Sequence, residues 1–189
     1  MGRIADPDAE EKIIDATIKI GGSSPANVNF STKDIAKKAG VSEYLIFSRF
    51  GSKINLIHFA CLRASGLCNA ECLRLSKNVN DPLEIYSSLL SYLIKHKEQT
   101  LFLLNYGEGN TKVGKPGPNY EAFKKDAIKK AKLFTMFSFG DDDACFLAYS
   151  TFARNVLIDA ELVLNGSYKD SNEYRRFCAK LAFRGHLGD

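Results

Sequence analysis

Three serines, Ser31, Ser42 and Ser52, each stand just ahead of a run able to form a helix, with Lys33, Arg49 and Lys53 close by. A helix start carries partial positive charge and unpaired N–H groups, so each of these starts can hold a phosphate, with or without a lysine. Other groupings look chemical and lead elsewhere. Residues 109–115, GNTKVGK, match the spacing of a phosphate-binding loop, but Pro116 stands in place of the magnesium-binding Ser or Thr. Gly117-Pro118 blocks an immediate helix, and no strand precedes the run. His58, Cys61, Cys68 and Cys72 project onto one helix face, but at 1.5 Å per residue the span is about 21 Å, too long for one metal site. They read as core neighbours, with a redox role for Cys68 and Cys72, one turn apart, left open. His96 and His186 have no partners that suggest a triad or a ligand set. The sequence therefore offers no catalytic constellation, no metal site and no cofactor site, and a non-enzymatic protein is expected.

The elements that must position the serines and cations can be read from residues 31–53, STKDIAKKAGVSEYLIFSRFGSK. Ser31 followed by Asp34 makes a weak capping box, in which hydroxyl and carboxylate both serve the positive end of a helix. Ile35, Ala36 and Ala39 then bury one side and leave Lys33, Lys37 and Lys38 in water. Gly40 supplies the left-handed residue that ends this helix, Val41 plugs the angle, and Ser42 caps the next helix. In that next helix Ile46, Phe47 and Phe50 are placed to anchor the inner side, leaving Glu43, Tyr44, Leu45, Ser48 and Arg49 partly or wholly outside. Two short amphipathic helices about such a turn read as a DNA-binding helix-turn-helix.

With those residues in view, positions 8–60 resemble the N-terminal domain of TetR-family transcriptional regulators. The resemblance rests on Ser31, Lys33, Asp34-Ile35-Ala36, Ala39-Gly40-Val41-Ser42, Leu45-Ile46-Phe47, Arg49-Phe50, and Ser52-Lys53 opening a long fourth helix. The chain departs from the family pattern at three positions. Tyr44 stands where glycine is commonest, Leu45 where threonine, serine or alanine is usual, and Phe47, without a hydroxyl, where a tyrosine commonly reaches a phosphate. The resemblance implies that Lys33, Ser42, Arg49 and Lys53 position the DNA backbone while Tyr44, Leu45 and Ser48 face base edges. Leu45 is suited to a thymine methyl. The alternative is that Tyr44 and Leu45 pack on the first helix or on the start of the fourth.

Charge agrees with this division. Residues 1–30 hold three Lys and Arg against five Asp and Glu, net −2, whereas residues 31–56 hold five against two, net +3. The whole chain is only +4, so affinity for DNA should rest on a few phosphate contacts, doubled in a dimer, with strong salt dependence. A chain of 189 residues, 45% hydrophobic and 25% charged, suits one compact body or a small head with a larger domain. No apolar run approaches the roughly 18 residues of a membrane span, and Met1 to Pro7 lacks an apolar signal core. Five cysteines without regular spacing fit reduced thiols. A cytoplasmic, globular protein without membrane association is the expectation.

The remaining pattern is helical, giving an all-α fold of about nine helices with a head at 1–52 and a ligand-binding and dimerisation body at 53–189. Asp6-Pro7 should open the first helix, with Ile13, Ala16, Thr17 and Ile20 as its buried stripe. The fourth helix should run unbroken from Lys53 to Lys77, joining head to body without a flexible linker. Asp81-Pro82 starts a fifth helix, Glu98 to Tyr106 a sixth, and a seventh should run from Asn119 to Phe139 after the Gly- and Pro-rich stretch 107–118. From Asp141 to Leu164 apolar residues occur nearly all round, and a last helix from Ser171 to Arg184 should bury Tyr174, Phe177, Cys178, Leu181 and Ala182. Two copies can pair these last helices as a four-helix bundle, the homodimer the resemblance also implies.

Aromatic walls with a few polar groups describe a small-molecule pocket, and Phe102, Tyr106, Phe134, Phe137, Tyr149, Phe152 and Asn155 are the candidate contacts. The TetR-family resemblance implies a ligand-responsive regulator, a repressor releasing a palindromic double-stranded operator when a small-molecule effector binds. The alternative is a helical ligand- or protein-binding module whose head no longer reads DNA.

Overall fold

A computed structural model describes residues 8–23, 29–79, 81–107, 120–132 and 140–183. Among them every regular element is an α-helix: α1 (Ala9–Gly21), α2 (Thr32–Ala39), α3 (Glu43–Phe50), α4 (Lys53–Ser76), α5 (Pro82–Lys95), α6 (Lys97–Tyr106), α7 (Tyr120–Ala131), α8 (Asp142–Leu164) and α9 (Asn172–Ala182). The all-α expectation is met. The chain packs as two compact units, one of residues 1–66 with 98–107 and the other of 67–97 with 108–189. α4 is one continuous helix that supplies residues to both. Asp6-Pro7, the loop-like run 109–115, Phe134, Phe137 and His186 lie outside the described residues.

The first unit is built on a core of Ile13, Ala16, Phe30, Ile35, Ala36, Ile46, Phe50 and Leu56. Thr17 is fully buried on the same stripe of α1, and its hydroxyl is satisfied locally by donating to the Ile13 carbonyl at 2.7 Å. α6 belongs to this unit, although it follows α5 in sequence. Gln99 donates to the Ala64 carbonyl at 3.0 Å, and Asn105 donates to the Gly21 carbonyl at 3.0 Å, supplying a partner that the C-terminus of α1 lacks internally. Phe102 is fully buried here, and the Tyr106 ring meets Phe30 edge-on at 5.6 Å.

In the second unit α5 packs against both α8 and α9, and α7 packs against α8. Its core includes Cys72, Leu75, Ile85, Tyr86, Leu89, Leu90, Leu93, Phe152, Val156 and Ala160. α5 begins at Pro82 because the Asp81 carboxylate accepts from the Leu83 N–H and proline fits the first helical turn. α8 is capped by Asp141, which accepts from the Ala144 N–H. Two ion pairs, Lys124–Asp143 at 2.6 Å and Lys132–Asp142 at 2.5 Å, tie α7 to the start of α8.

The last helix differs from expectation. α9 buries Cys178 and Ala179, whereas Phe177 is 60% exposed and Leu181 48% exposed. The reason is angular: α9 meets α5 and α8 on one side, and the i, i+4 pair Phe177–Leu181 lies on another. Leu147 and Ile158 are likewise exposed on α8.

Candidate nucleic-acid interface

The turn from α2 to α3 forms as its residue types dictate. Ser31 and Asp34 make a full reciprocal capping box: the Asp34 N–H donates to the Ser31 hydroxyl oxygen, and the Ser31 N–H donates to the Asp34 carboxylate, both at 3.1 Å. The Ser31 hydroxyl also donates to the Asp34 carboxylate at 2.5 Å, and this bond, with the smaller help of the Ser31 N–H, holds the Asp34 carboxyl below the usual carboxylate range. Gly40 ends α2 at φ +69°, a left-handed conformation that glycine adopts without strain. Ser42 caps α3 by accepting from the Leu45 N–H, and the Ser52 hydroxyl accepts from the Asn55 N–H at the start of α4.

α3 then turns a defined ridge outward. Tyr44 is 80% exposed and Phe47 45% exposed, and exposed Ser48 completes an i, i+3, i+4 face with them. Ile46 and Phe50 fill the core on the opposite side. Phe47, expected as an inner anchor, therefore belongs to the outer ridge. Three other anchors, Ile35, Ile46 and Leu56, already close the interior at zero exposure. Leu45 is half-buried against the head core, while Tyr44 packs on neither α1 nor α4 to any large extent.

Arg49 and Lys53 are engaged within the head. Lys33 is exposed on α2. Arg49 pairs with Glu10 of α1 at 3.3 Å across a solvent-exposed gap. Lys53 donates to the Phe30 carbonyl and sits over the Phe30 ring, 4.5 Å from its centre. An exposed ion pair of the Arg49–Glu10 kind contributes little, so its arginine can turn toward a phosphate at small cost. Lys53 is anchored more firmly, through a hydrogen bond and a cation–π contact together. One contact went unread in the sequence: the Thr32 hydroxyl donates to the Glu43 carboxylate, linking the first turn of α2 to the first turn of α3. Nothing in the local pattern signals a partner eleven residues away.

The remaining chemical candidates separate. None of the five cysteines forms a disulfide. The Cys61 thiol donates to the Tyr106 carbonyl at 3.3 Å, and burial pushes the Cys72 thiol up to about 12, with Cys68 and Glu71 adding smaller contributions. A thiol so shifted is almost wholly protonated at neutral pH. Among the described residues no three His, Cys, Asp or Glu side chains are placed to hold a metal.

The candidate effector contacts are divided between the units. Phe102 and Tyr106 serve the interior of the first. In the second, Phe152 packs edge-on against Tyr86 at 5.5 Å, and the Tyr149 hydroxyl donates to Asn69. Asn155 lines a hollow of about 150 Å³ with Tyr86, Ile158, Asp159, Cys178, Leu181 and Ala182. The Tyr86 hydroxyl donates to Asp159 at 2.5 Å, and burial raises the phenol's pKa.

The described helices and their exposed ridge define an all-α protein with an N-terminal helix-turn-helix. Solved structures give the fold its name: it is that of TetR-like transcriptional regulators. A TetR-like transcriptional regulator from Rhodococcus sp. RHA1 matches 99% of this chain and 100% of its own, with a TM-score of 0.63 at 20% identity. A TetR family transcription regulator from Marinobacter aquaeolei VT8 matches 94% of both chains, with a TM-score of 0.64 at 15% identity. A TetR-family regulator from Streptomyces coelicolor A3 matches 96% of both, with a TM-score of 0.53 at 15% identity. No protein-family model matches the chain, and no curated protein does. Among the described residues no helix is long and apolar enough to cross a membrane.

Proposed function

We propose that this chain is a DNA-binding transcriptional regulator, a repressor that binds a palindromic operator as a homodimer and releases it on binding a small molecule. The observation that carries the reading is the exposed Tyr44–Phe47–Ser48 ridge on α3, held outward by the Gly40 turn within a TetR-like fold. Residues 1–52 supply the reader, with Lys33, Ser31, Ser42, Arg49 and Lys53 on the phosphates and the ridge toward the bases. Residues 53–189 supply dimerisation through α8 and α9, and the effector site, for which Phe102, Tyr106, Tyr149, Phe152 and Asn155 are the described candidates. The effector acts only through its different affinity for the DNA-competent and DNA-released states.

Fluorescence titration of the full chain against duplexes from upstream of its own gene tests the reading. Upstream duplex should bind more tightly than a scrambled duplex of equal length. Lys33→Ala should weaken both and lower the salt slope by about 0.9 for each phosphate lost. Equal affinity for the two duplexes, unmoved by Lys33→Ala or Arg49→Ala, sinks the regulator and leaves a helical binding module whose head has lost DNA.

A further inference from the structure

The chemistry of the outward ridge sets what bases it can distinguish. Direct readout of guanine or adenine uses Arg, Lys, Asn or Gln in a bidentate geometry. None of these stands on the ridge formed by Tyr44, Phe47 and Ser48. Of the two charged residues of α3, Glu43 accepts from the Thr32 hydroxyl, and Arg49, paired loosely with Glu10 at 3.3 Å, is the one placed for a phosphate. Arg49 also lies five residues beyond Tyr44, well round the helix from the ridge. What the ridge does present is apolar ring surface, with Tyr44 80% and Phe47 45% exposed. In the major groove the group that offers itself to an apolar side chain is the 5-methyl of thymine. Leu45, the residue the sequence offers for that contact, is half-buried against Ile46 and its neighbours in the head core and reaches outward less than either ring.

We propose that the head selects its sites by thymine 5-methyl groups, read by the Phe47 and Tyr44 rings, with hydrogen-bonded base contacts secondary. This inference rests on the DNA-binding reading and narrows it. Its preferred duplexes should carry thymines at fixed positions in each half-site, and no guanine position should dominate discrimination.

The test begins by selecting duplexes from a random pool with the full-length chain, then replacing each enriched thymine by uracil, which removes the methyl and keeps the pairing. Each contacted methyl should be worth about fourfold in affinity, and about fifteenfold when both half-sites of a dimer are changed together. Replacing the sensitive T·A pair by 5-methylcytosine·G should retain more affinity than the unmethylated C·G pair. Phe47→Ala should lower affinity and abolish the uracil effect at the position Phe47 reads. Both rings are solvent-exposed, so truncating them leaves the head core intact, which circular dichroism can verify.

A selected duplex that tolerates uracil at every enriched thymine overturns the methyl inference while leaving DNA binding standing. Discrimination dominated by a guanine and lost in Arg49→Ala overturns it equally. If no duplex is enriched at all, the DNA-binding reading falls and takes this inference with it.

Discussion

Gly22→Ala separates close packing from every other use of glycine in the first unit. A methyl added at Gly22 would sit 1.7 Å from the Glu98 carbonyl oxygen and 2.6 Å from its carbon. Ordinary contact begins near 3.4 Å, so the end of α1 and the start of α6 must move apart, and the obstacle is backbone rather than a flexible side chain. Conformation is not at issue, because Gly22 has φ −98°, a value alanine adopts freely. Overpacking of this kind costs about 1–3 kcal/mol, and the movement also strains the Asn105–Gly21 hydrogen bond nearby. Gly66 within α4 is the control, since a methyl there meets nothing within 4 Å. Gly66→Ala should stabilise by about 0.5–1 kcal/mol through helix propensity. Urea unfolding of both variants at one fixed protein concentration should therefore place them roughly 1.5–4 kcal/mol apart, with Gly22→Ala the less stable. If Gly22→Ala unfolds at the wild-type midpoint, the close approach of α1 and α6 is not part of the fold in solution.

Three further outcomes follow from groups already placed. Ser31→Ala should raise the Asp34 carboxyl toward its ordinary pKa, seen by NMR titration of the Asp34 side chain, because the hydroxyl is the first cause of its depression. The sign for stability is that of a lowered carboxylate: Asp34 contributes fully at neutral pH, and the contribution is lost as pH falls through its depressed folded pKa. An unchanged Asp34 titration in Ser31→Ala would count against the capping box. Cys72, with its thiol pushed up to about 12, should resist iodoacetamide at pH 8 in the folded chain and react quickly in urea; equal rates refute its burial. Phe177→Asp should leave the fold intact, since that ring is 60% exposed, but should convert a dimer to monomer by sedimentation and weaken operator binding by tenfold or more, roughly the loss of about 1.4 kcal/mol or above. A wild-type chain that sediments as a monomer removes the dimer from the proposal.

The head was the most legible part of the chain because its signals are local. A capping box spans Ser31 to Asp34, a left-handed turn needs only Gly40, and the periodicity that buries Ile35, Ile46 and Phe50 is complete within a few turns. In the second unit the starts of α5 and α8 were readable by the same local means, from Asp81-Pro82 and Asp141. What failed was the side-by-side arrangement. Hydrophobic spacing says that a face is apolar, and it does not say which neighbour covers it, so Phe177 and Leu181 read as interior although α9 turns them outward. Phe47 failed for the related reason that an aromatic next to Ile46 fits an inner stripe by type, and only the filled core pushes it to the outer one.

The effector site was hardest to read because polar and aromatic residues within apolar helices have two uses that sequence does not separate. Asn105, a polar residue near the end of the largely apolar α6, hydrogen-bonds the Gly21 carbonyl. Leaving that carbonyl unpaired would be costly, so the asparagine is explained by the fold before any ligand is considered. Phe102 is likewise consumed by packing, being the ring whose edge a methyl on Gly21 would strike at 2.6 Å. Asn155 differs from both, since it lines a hollow on the surface formed by α5, α8 and α9 beside exposed Ile158 and Leu181. The same two apolar side chains belong to the stripes assigned to dimerisation. Substituting Asn155 should therefore be read in two assays, oligomeric state and release of DNA, because a change confined to the first assigns the hollow to the subunit interface, and a change confined to the second assigns it to the effector.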